Sequence, residues 1–218
     1  MVRRFPRCGV DFVAADSRNP FGMSPSCERY VPGYGSTTAD FHVVGHHPGV
    51  HGGLASGIPF TGRPWSECFF DALARGGLVE RTGDDVTVRD TFLSYLHMCL
   101  PEEGGPTAES YSAMASFFDA ELRAITAHVL VPVGARATAH VFESYTARDS
   151  TDLDMDALHA TEIRGSGWLV VPVKTPAVWT DGDADRLADA LVELRRTDYR
   201  QESDLGRFFP GDDPYLVR

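Results

Sequence analysis

The sequence predicts an α/β fold with a parallel sheet covered by helices on both faces. Short β-branched runs alternate with helical patterns along the chain. Those runs are apolar at consecutive positions rather than alternate ones, as strands buried on both faces must be. A glycine-rich stretch directly follows the first run, at the strand end where such sheets bring their ligands.

The strand runs are "FHVVG" (41–45), "TFLSYLHMC" (91–99), "VLVPVG" (129–134) and "GWLVVPV" (167–173). Pro132 has no amide to donate, so it belongs near the carboxyl end of its strand. "SECFFDALAR" (66–75) puts Phe69 and Leu73 four apart on one helical face. Residues 107–125 carry Met114, Phe118, Leu122 and Ile125 on one stripe, behind Thr107 as an N-cap. "ARATAHVFESYT" (135–146) continues from the third strand as a helix. "DADRLADALVELRR" (183–196) carries Leu187, Leu191 and Leu194, with Asp at its start and Arg at its end, the order that suits the helix dipole. Residues 1–40 and 197–218 read as ordered wrapping segments with little regular structure. No repeat, low-complexity tract or linker breaks the 218 residues. One domain with a sizeable core is therefore expected.

The net charge of −11 comes from 20 Asp, 11 Glu, 19 Arg and a single lysine, Lys174. Two sources fit this alphabet: a GC-rich genome that favours Arg codons, or a halophile-type acidic surface. The acidic total argues against indiscriminate nucleic-acid binding, while a local basic groove remains open. No run approaches the roughly 18 apolar residues of a membrane helix. The start "MVRRFPRCGV" lacks the apolar core of a secretory signal. A cytoplasmic monomer with no membrane partner is the expectation. Cys8, Cys27, Cys68 and Cys99 stand far apart, so no disulfide framework is expected. With no CxxC pair, neither is a structural zinc site.

The stretch "VVGHHPGVHGGLASGIPFTG" (43–62) holds three histidines and six glycines. Glycine costs backbone entropy, so this density implies close approach to something bound. Bare amides beside a helix N-terminus can grip a phosphate or a flat polar ring. His42, His46, His47 and His51 could instead form a metal cluster. A loop so rich in glycine offers little of the outer support metal ligands need, and no metal site is expected. His97, His128, His140 and His159 read as structural histidines.

Within that stretch, "GHHPGVHGGLASGIPF" (45–60) resembles the first signature of the uracil-DNA glycosylase superfamily, gap-free over sixteen residues. "YVPGYGSTTADFHVVG", the third strand with "VGARATAHV", and "LHMCLPEEGGPTAESY" are similar to the VxGxG, AD, VxLGxxA and KCRPP…PTPEE stretches of its iron–sulfur families. The resemblance covers residues 27 to about 176. It implies a three-layer α/β/α sandwich around a four-stranded parallel sheet. It also implies a DNA repair glycosylase, which flips uracil or a related damaged base out of DNA and hydrolyses its N-glycosidic bond.

Carried over residue by residue, the resemblance puts His47 where Asp or Asn holds or activates the attacking water. His46 or a loop amide would then donate to the base carbonyl. Phe60 stands where an aromatic ring stacks under the flipped base. Gly45 and Gly49 line the base pocket, Gly49 leaving open the space that a tyrosine closes in the first family. Tyr95 stands where an Asn reads the base edge. The last signature, HPSP, is matched by "VKTP": Val173 replaces the histidine, and Thr175 and Pro176 match the S and P. Arg136, Lys174 and Thr175 are the candidate DNA contacts. No cofactor is expected. The alternative is a [4Fe–4S] cluster on Cys8, Cys27 and Cys99, with Met114 at the fourth ligand's position. Cys68 reads as core. Two other functions stay open. One is a non-catalytic nucleic-acid or nucleobase-binding relative, which Val173 and Tyr95 favour; the other is a metal-dependent hydrolase using the loop histidines.

Overall fold

The computed structural model describes residues 18–82, 85–102 and 105–206. In chain order the strands are β1 (Tyr34–Gly35), β2 (Phe41–Gly45), β3 (Val79–Thr82), β4 (Asp85–Val88), β5 (Thr91–Tyr95), β6 (Val129–Pro132), β7 (Ile163–Arg164) and β8 (Leu169–Val170). The helices are α1 (Pro48–His51), α2 (Ser66–Arg75), α3 (Ala108–Ile125), α4 (Ala135–Tyr145), α5 (Met155–Leu158), α6 (Asp183–Leu194) and α7 (Tyr199–Gly206). A 3₁₀ turn covers Pro176–Val178.

Among the described residues one sheet runs β1-β5-β2-β6-β8-β7. Its inner four strands are parallel, and β1 and β7 add antiparallel edges. The expected four-stranded parallel sheet is thus the centre of a six-stranded mixed one. Each edge strand has two residues, too few to leave a periodic signal. β3 and β4 form a separate hairpin that the sequence reading passed over.

Both faces of the parallel strands are buried, in alternation. Phe41, Val43, Leu93, Val129 and Val131 pack with Phe69 and Leu73 of α2 and Leu187 and Leu191 of α6. Val44, Leu130 and Val170 pack with Phe118 and Leu122 of α3 and Val141 and Phe142 of α4. This gives the three layers, and it explains why the strands read as continuous apolar runs. Pro132 is the last residue of β6, and the next amide, of Val133, resumes the ladder on the Val44 carbonyl. The Thr107 hydroxyl accepts from the Ser110 amide at 3.2 Å and caps α3. No described helix is long and apolar enough to cross a membrane.

The wrapping segments and the cysteines depart from expectation. Residues 199–206 form helix α7, tied to the sheet by a 2.6 Å hydrogen bond from the Tyr199 hydroxyl to Asp40. Residues 1–17, with Cys8, and 207–218 lie outside the described residues. Cys27 and Cys99 form a disulfide, 72 residues apart in the chain. An antiparallel bridge between Tyr30 and Cys99 brings the two thiols together, which cysteine spacing alone does not reveal. Cys68 is exposed on α2, not core, because the buried face of that helix is set by Phe69 and Leu73.

A polar knot interrupts the apolar layer between sheet and α3. His42, with no exposure, bonds Ser94 Oγ through Nε2 at 2.8 Å. Glu121, 1 % exposed, takes hydrogen bonds from Ser94 and the Gly33 amide. Burial pushes its carboxyl up to about 8, against those two bonds. A carboxyl that holds its proton more tightly when folded contributes stability fully below its unfolded value, and loses it as pH rises through the folded one. Glu121→Gln should therefore remove a decline in stability between about pH 5 and 8, of the order of a few kcal/mol. Urea denaturation of both proteins across that range measures it.

Candidate active site

The site forms where β2, β5 and β6 end. β2 closes on Gly45, and the single turn α1 follows, with His47 as its N-cap. Gly45 is glycine because two rings lie on it. A Cβ there would meet His51 Nδ1 and the Tyr95 ring at 2.7 Å. Gly52 and Gly53 have φ of 85° and 92°, and a Cβ on Gly52 would stand 2.1 Å from the Thr61 carbonyl oxygen. The glycine density thus serves close packing of the loop on itself and on its own histidines.

Tyr95 holds the loop closed. Its hydroxyl accepts from the Phe60 amide at 2.7 Å and donates to the Gly52 carbonyl at 3.1 Å. Both hydrogen-bonding functions are occupied and the residue is 1 % exposed, so Tyr95 is a loop anchor and not an open reader of a base edge. Phe60 is also corrected. Its ring has no exposure and is enclosed by His51, Phe69 and Tyr95 at centroid distances of 5.2–5.4 Å. Phe60 has a φ of 68°, a conformation costing a side-chain-bearing residue about 1–3 kcal/mol. The Tyr95 bond at its amide and a 2.6 Å bond from Ser66 Oγ to its carbonyl hold it there.

Three imidazoles converge. The Gly49 amide donates to His47 Nδ1 at 3.1 Å, and the His46 amide donates to His51 Nδ1 at 3.0 Å. A neutral imidazole has one acceptor and one N–H, so both rings carry their proton on Nε2. Burial lowers His46 and His47 to about 4. The neighbouring His47 and Arg136 add to this at His46, and His97 and Arg63 at His47. Burial, then His46, His47 and Arg63, lowers His51 to about 3. All three are neutral near pH 7. His46 Nε2 is bonded to the Tyr111 hydroxyl, and the rings of His46 and His47 lie 4.3 Å apart. Gly49 gives its space to His47, since a Cβ would come within 2.9 Å of that ring.

The cations divide. Arg136 is exposed on the first turn of α4, its guanidinium 4.8 Å over the Tyr111 ring beside His46. Lys174 is corrected: its ammonium lies between Asp156 at 2.7 Å and Asp183 at 2.8 Å, with a side chain 10 % exposed. Two carboxylates already meet its charge, so it braces the loop after β8 and is not placed to contact DNA. Thr175 is half-buried beside Gly134. Val173 is fully buried, bridged to Val133. Arg63, which sequence reading missed, donates to the carbonyls of Pro48 and Gly49, the first two residues of α1. The sequence offers His51 as a metal ligand or as a solvent-facing or pocket-lining residue, and its i, i+4 spacing from His47 is a signal that one turn presents both rings together.

Among the described residues no group of three or more His, Cys, Asp or Glu is placed to hold a metal ion. At the position of the iron–sulfur alternative stand the joined sulfurs of Cys27 and Cys99, and the Met114 thioether 3.5 Å from Cys99 Sγ. A disulfide and a thioether do not fit a cluster that needs four thiolates. Of the histidines read as structural, His97, His128 and His159 have hydrogen-bond partners, while His140 Nε2 is buried with none.

In open α/β sheets this edge is the ligand side, and a loop of neutral N–H donors there suits a polar ring that gains negative charge. The family model of the uracil DNA glycosylase superfamily matches residues 32–192, and the chain belongs to that superfamily. It is 31 % identical over 109 residues to a type-5 uracil-DNA glycosylase of Thermus thermophilus, covering 48 % of this chain and 50 % of the relative. It is 30 % identical over 141 residues to one of Pyrobaculum aerophilum, covering 62 % of each. One of Mycobacterium leprae is 29 % identical over 122 residues, covering 54 % of this chain and 53 % of the relative. The chain thus spans about half to three-fifths of the length of these relatives.

Tyr95→Phe tests the anchor. It leaves the Gly52 carbonyl and Phe60 amide buried without their partner, at a cost of about 1–3 kcal/mol. Thermal melting should show the loss, and amide exchange should quicken at Phe60 before the strands.

Proposed function

We propose that this chain is a monofunctional DNA glycosylase that removes uracil or a related damaged base by base flipping and attack of water at C1′. The observation that carries the reading is the gap-free family loop, seated at the carboxyl ends of the parallel strands with three neutral imidazoles on it.

In this reading the C1′–N bond breaks towards an oxocarbenium-like sugar, and the base takes the electron pair. A cationic sugar needs little activation of its nucleophile. An imidazole lowered to about 4 is a weak base, so His47 holds the water through Nε2–H and need not remove its proton. The water proton goes to solvent. His46, fixed by Tyr111, sets the neighbouring wall, and Arg136 is the cation best exposed for a phosphate. Extruding a nucleotide costs a few kcal/mol, least at a mismatched or single-stranded site.

A second reading, binding without turnover, is favoured by the burial of Val173 at the position of the family's donor. One assay separates them. Oligonucleotides carrying uracil, hypoxanthine or mismatched thymine are incubated with the protein at low and molar salt, then treated with alkali. Strand breaks at uracil support the glycosylase; retention without breaks supports the binder. His47→Ala should slow excision about tenfold or more. Because the imidazoles titrate at about 3–4, the rate should stay flat from about pH 6 to 9 and fall only as pH drops towards 4.

A further inference from the structure

We infer that His51 supplies the N–H donor that meets the departing base, a role that rests on the glycosylase reading above. Four observations converge on it. First, the tautomer is fixed, because the His46 amide occupies Nδ1 and leaves the proton on Nε2. Second, the ring cannot swing freely. It is 1 % exposed, with Phe60, Trp65 and Tyr95 as ring neighbours, and it lies on the bare backbone of Gly45.

Third, the Nε2 edge faces the bare backbone of Gly134. His51 Nε2 and Cε1 lie 3.8 and 4.0 Å from where a Cβ on Gly134 would stand, and Thr175 Oγ1 lies 2.9 Å from the same point. Gly134 has a φ of 86° and is the N-cap of α4, so the positive end of an eleven-residue helix shares this corner. Fourth, two nearby side chains do not compete for the role. Val173 is apolar and buried, and His46 Nε2 is held by Tyr111. Burial, the neighbouring imidazoles and Arg63 keep His51 uncharged, so it gives a hydrogen bond and keeps its proton.

The step balances without a cofactor. The C1′–N pair moves onto the base, whose carbonyl oxygen gains negative charge and accepts the hydrogen bond from Nε2–H. Water adds its oxygen to C1′ and releases a proton to solvent, and the freed base anion takes a proton from solvent. Preorganised donors aimed at developing charge are worth about 10²–10³ in rate.

The test uses His51→Phe, which fits the aromatic enclosure, and His51→Gln, which restores an amide N–H. Uracil and 5-fluorouracil are compared as leaving groups in otherwise identical oligonucleotides, because fluorine stabilises the base anion and lessens its need for a donor. His51→Phe should slow uracil release about 10²–10³-fold and 5-fluorouracil release at least tenfold less, and His51→Gln should recover much of the uracil rate. Should His51→Phe fail to melt near the wild type, the same leaving-group comparison is made with His51→Leu, which is smaller and also lacks a donor. Equal slowing of both bases, or no slowing, overturns the inference. So does nitrogen-15 NMR placing the His51 proton on Nδ1. Either result, with an active wild type, leaves the glycosylase reading intact. A wild type that releases neither base overturns both.

Discussion

The phenolic oxygen of Tyr95 is the point on which the site depends. It sits at the carboxyl end of a central strand and joins Gly52 to Phe60, two loop positions eight residues apart. That closure presses the loop onto the sheet. His51 is then clasped between aromatic rings, and Phe60 is held in a backbone conformation it would not choose alone. The arrangement of the donors follows from one buried hydroxyl having two partners.

Much of this was legible in the chain. Strands β2, β5, β6 and β8 announced themselves because both their faces are covered, which turns alternation into continuous apolar sequence. Thr107 and Pro132 were placed correctly because each carries a local constraint, one a capping oxygen and the other a missing amide. What failed was of another kind. Whether Tyr95 faces a slot or a neighbouring backbone depends on where residues 52 and 60 end up, and Lys174 depends on carboxylates 18 residues before and 9 after it. Side-chain partners set by chain return leave no periodic trace. His51 is visible in the sequence as a residue but its setting is not, since that setting comes from the amide of His46 and the bareness of Gly45.

Electrostatically the site differs from the rest of the molecule. A chain with net charge −11 keeps acidic side chains out of the groups that set the loop histidines, which are instead lowered by burial, by one another and by Arg63 or Arg136. The one lysine is consumed in bracing the segment after β8. The result is a loop of neutral imidazoles in an anionic protein. That suits a polar ring which becomes negative only during reaction, more than a ligand that arrives charged.

The link between Cys27 and Cys99 has a consequence for how the amino-terminal strap is kept in place. On either side of it the Val31 amide bonds the Met98 carbonyl at 2.9 Å and the Leu100 amide bonds the Arg29 carbonyl at 2.8 Å. The strap is therefore registered twice, once by sulfur and once by main-chain pairing that ignores oxidation state. Reduction of the sulfur link would therefore leave the main-chain pairing to hold the strap in register.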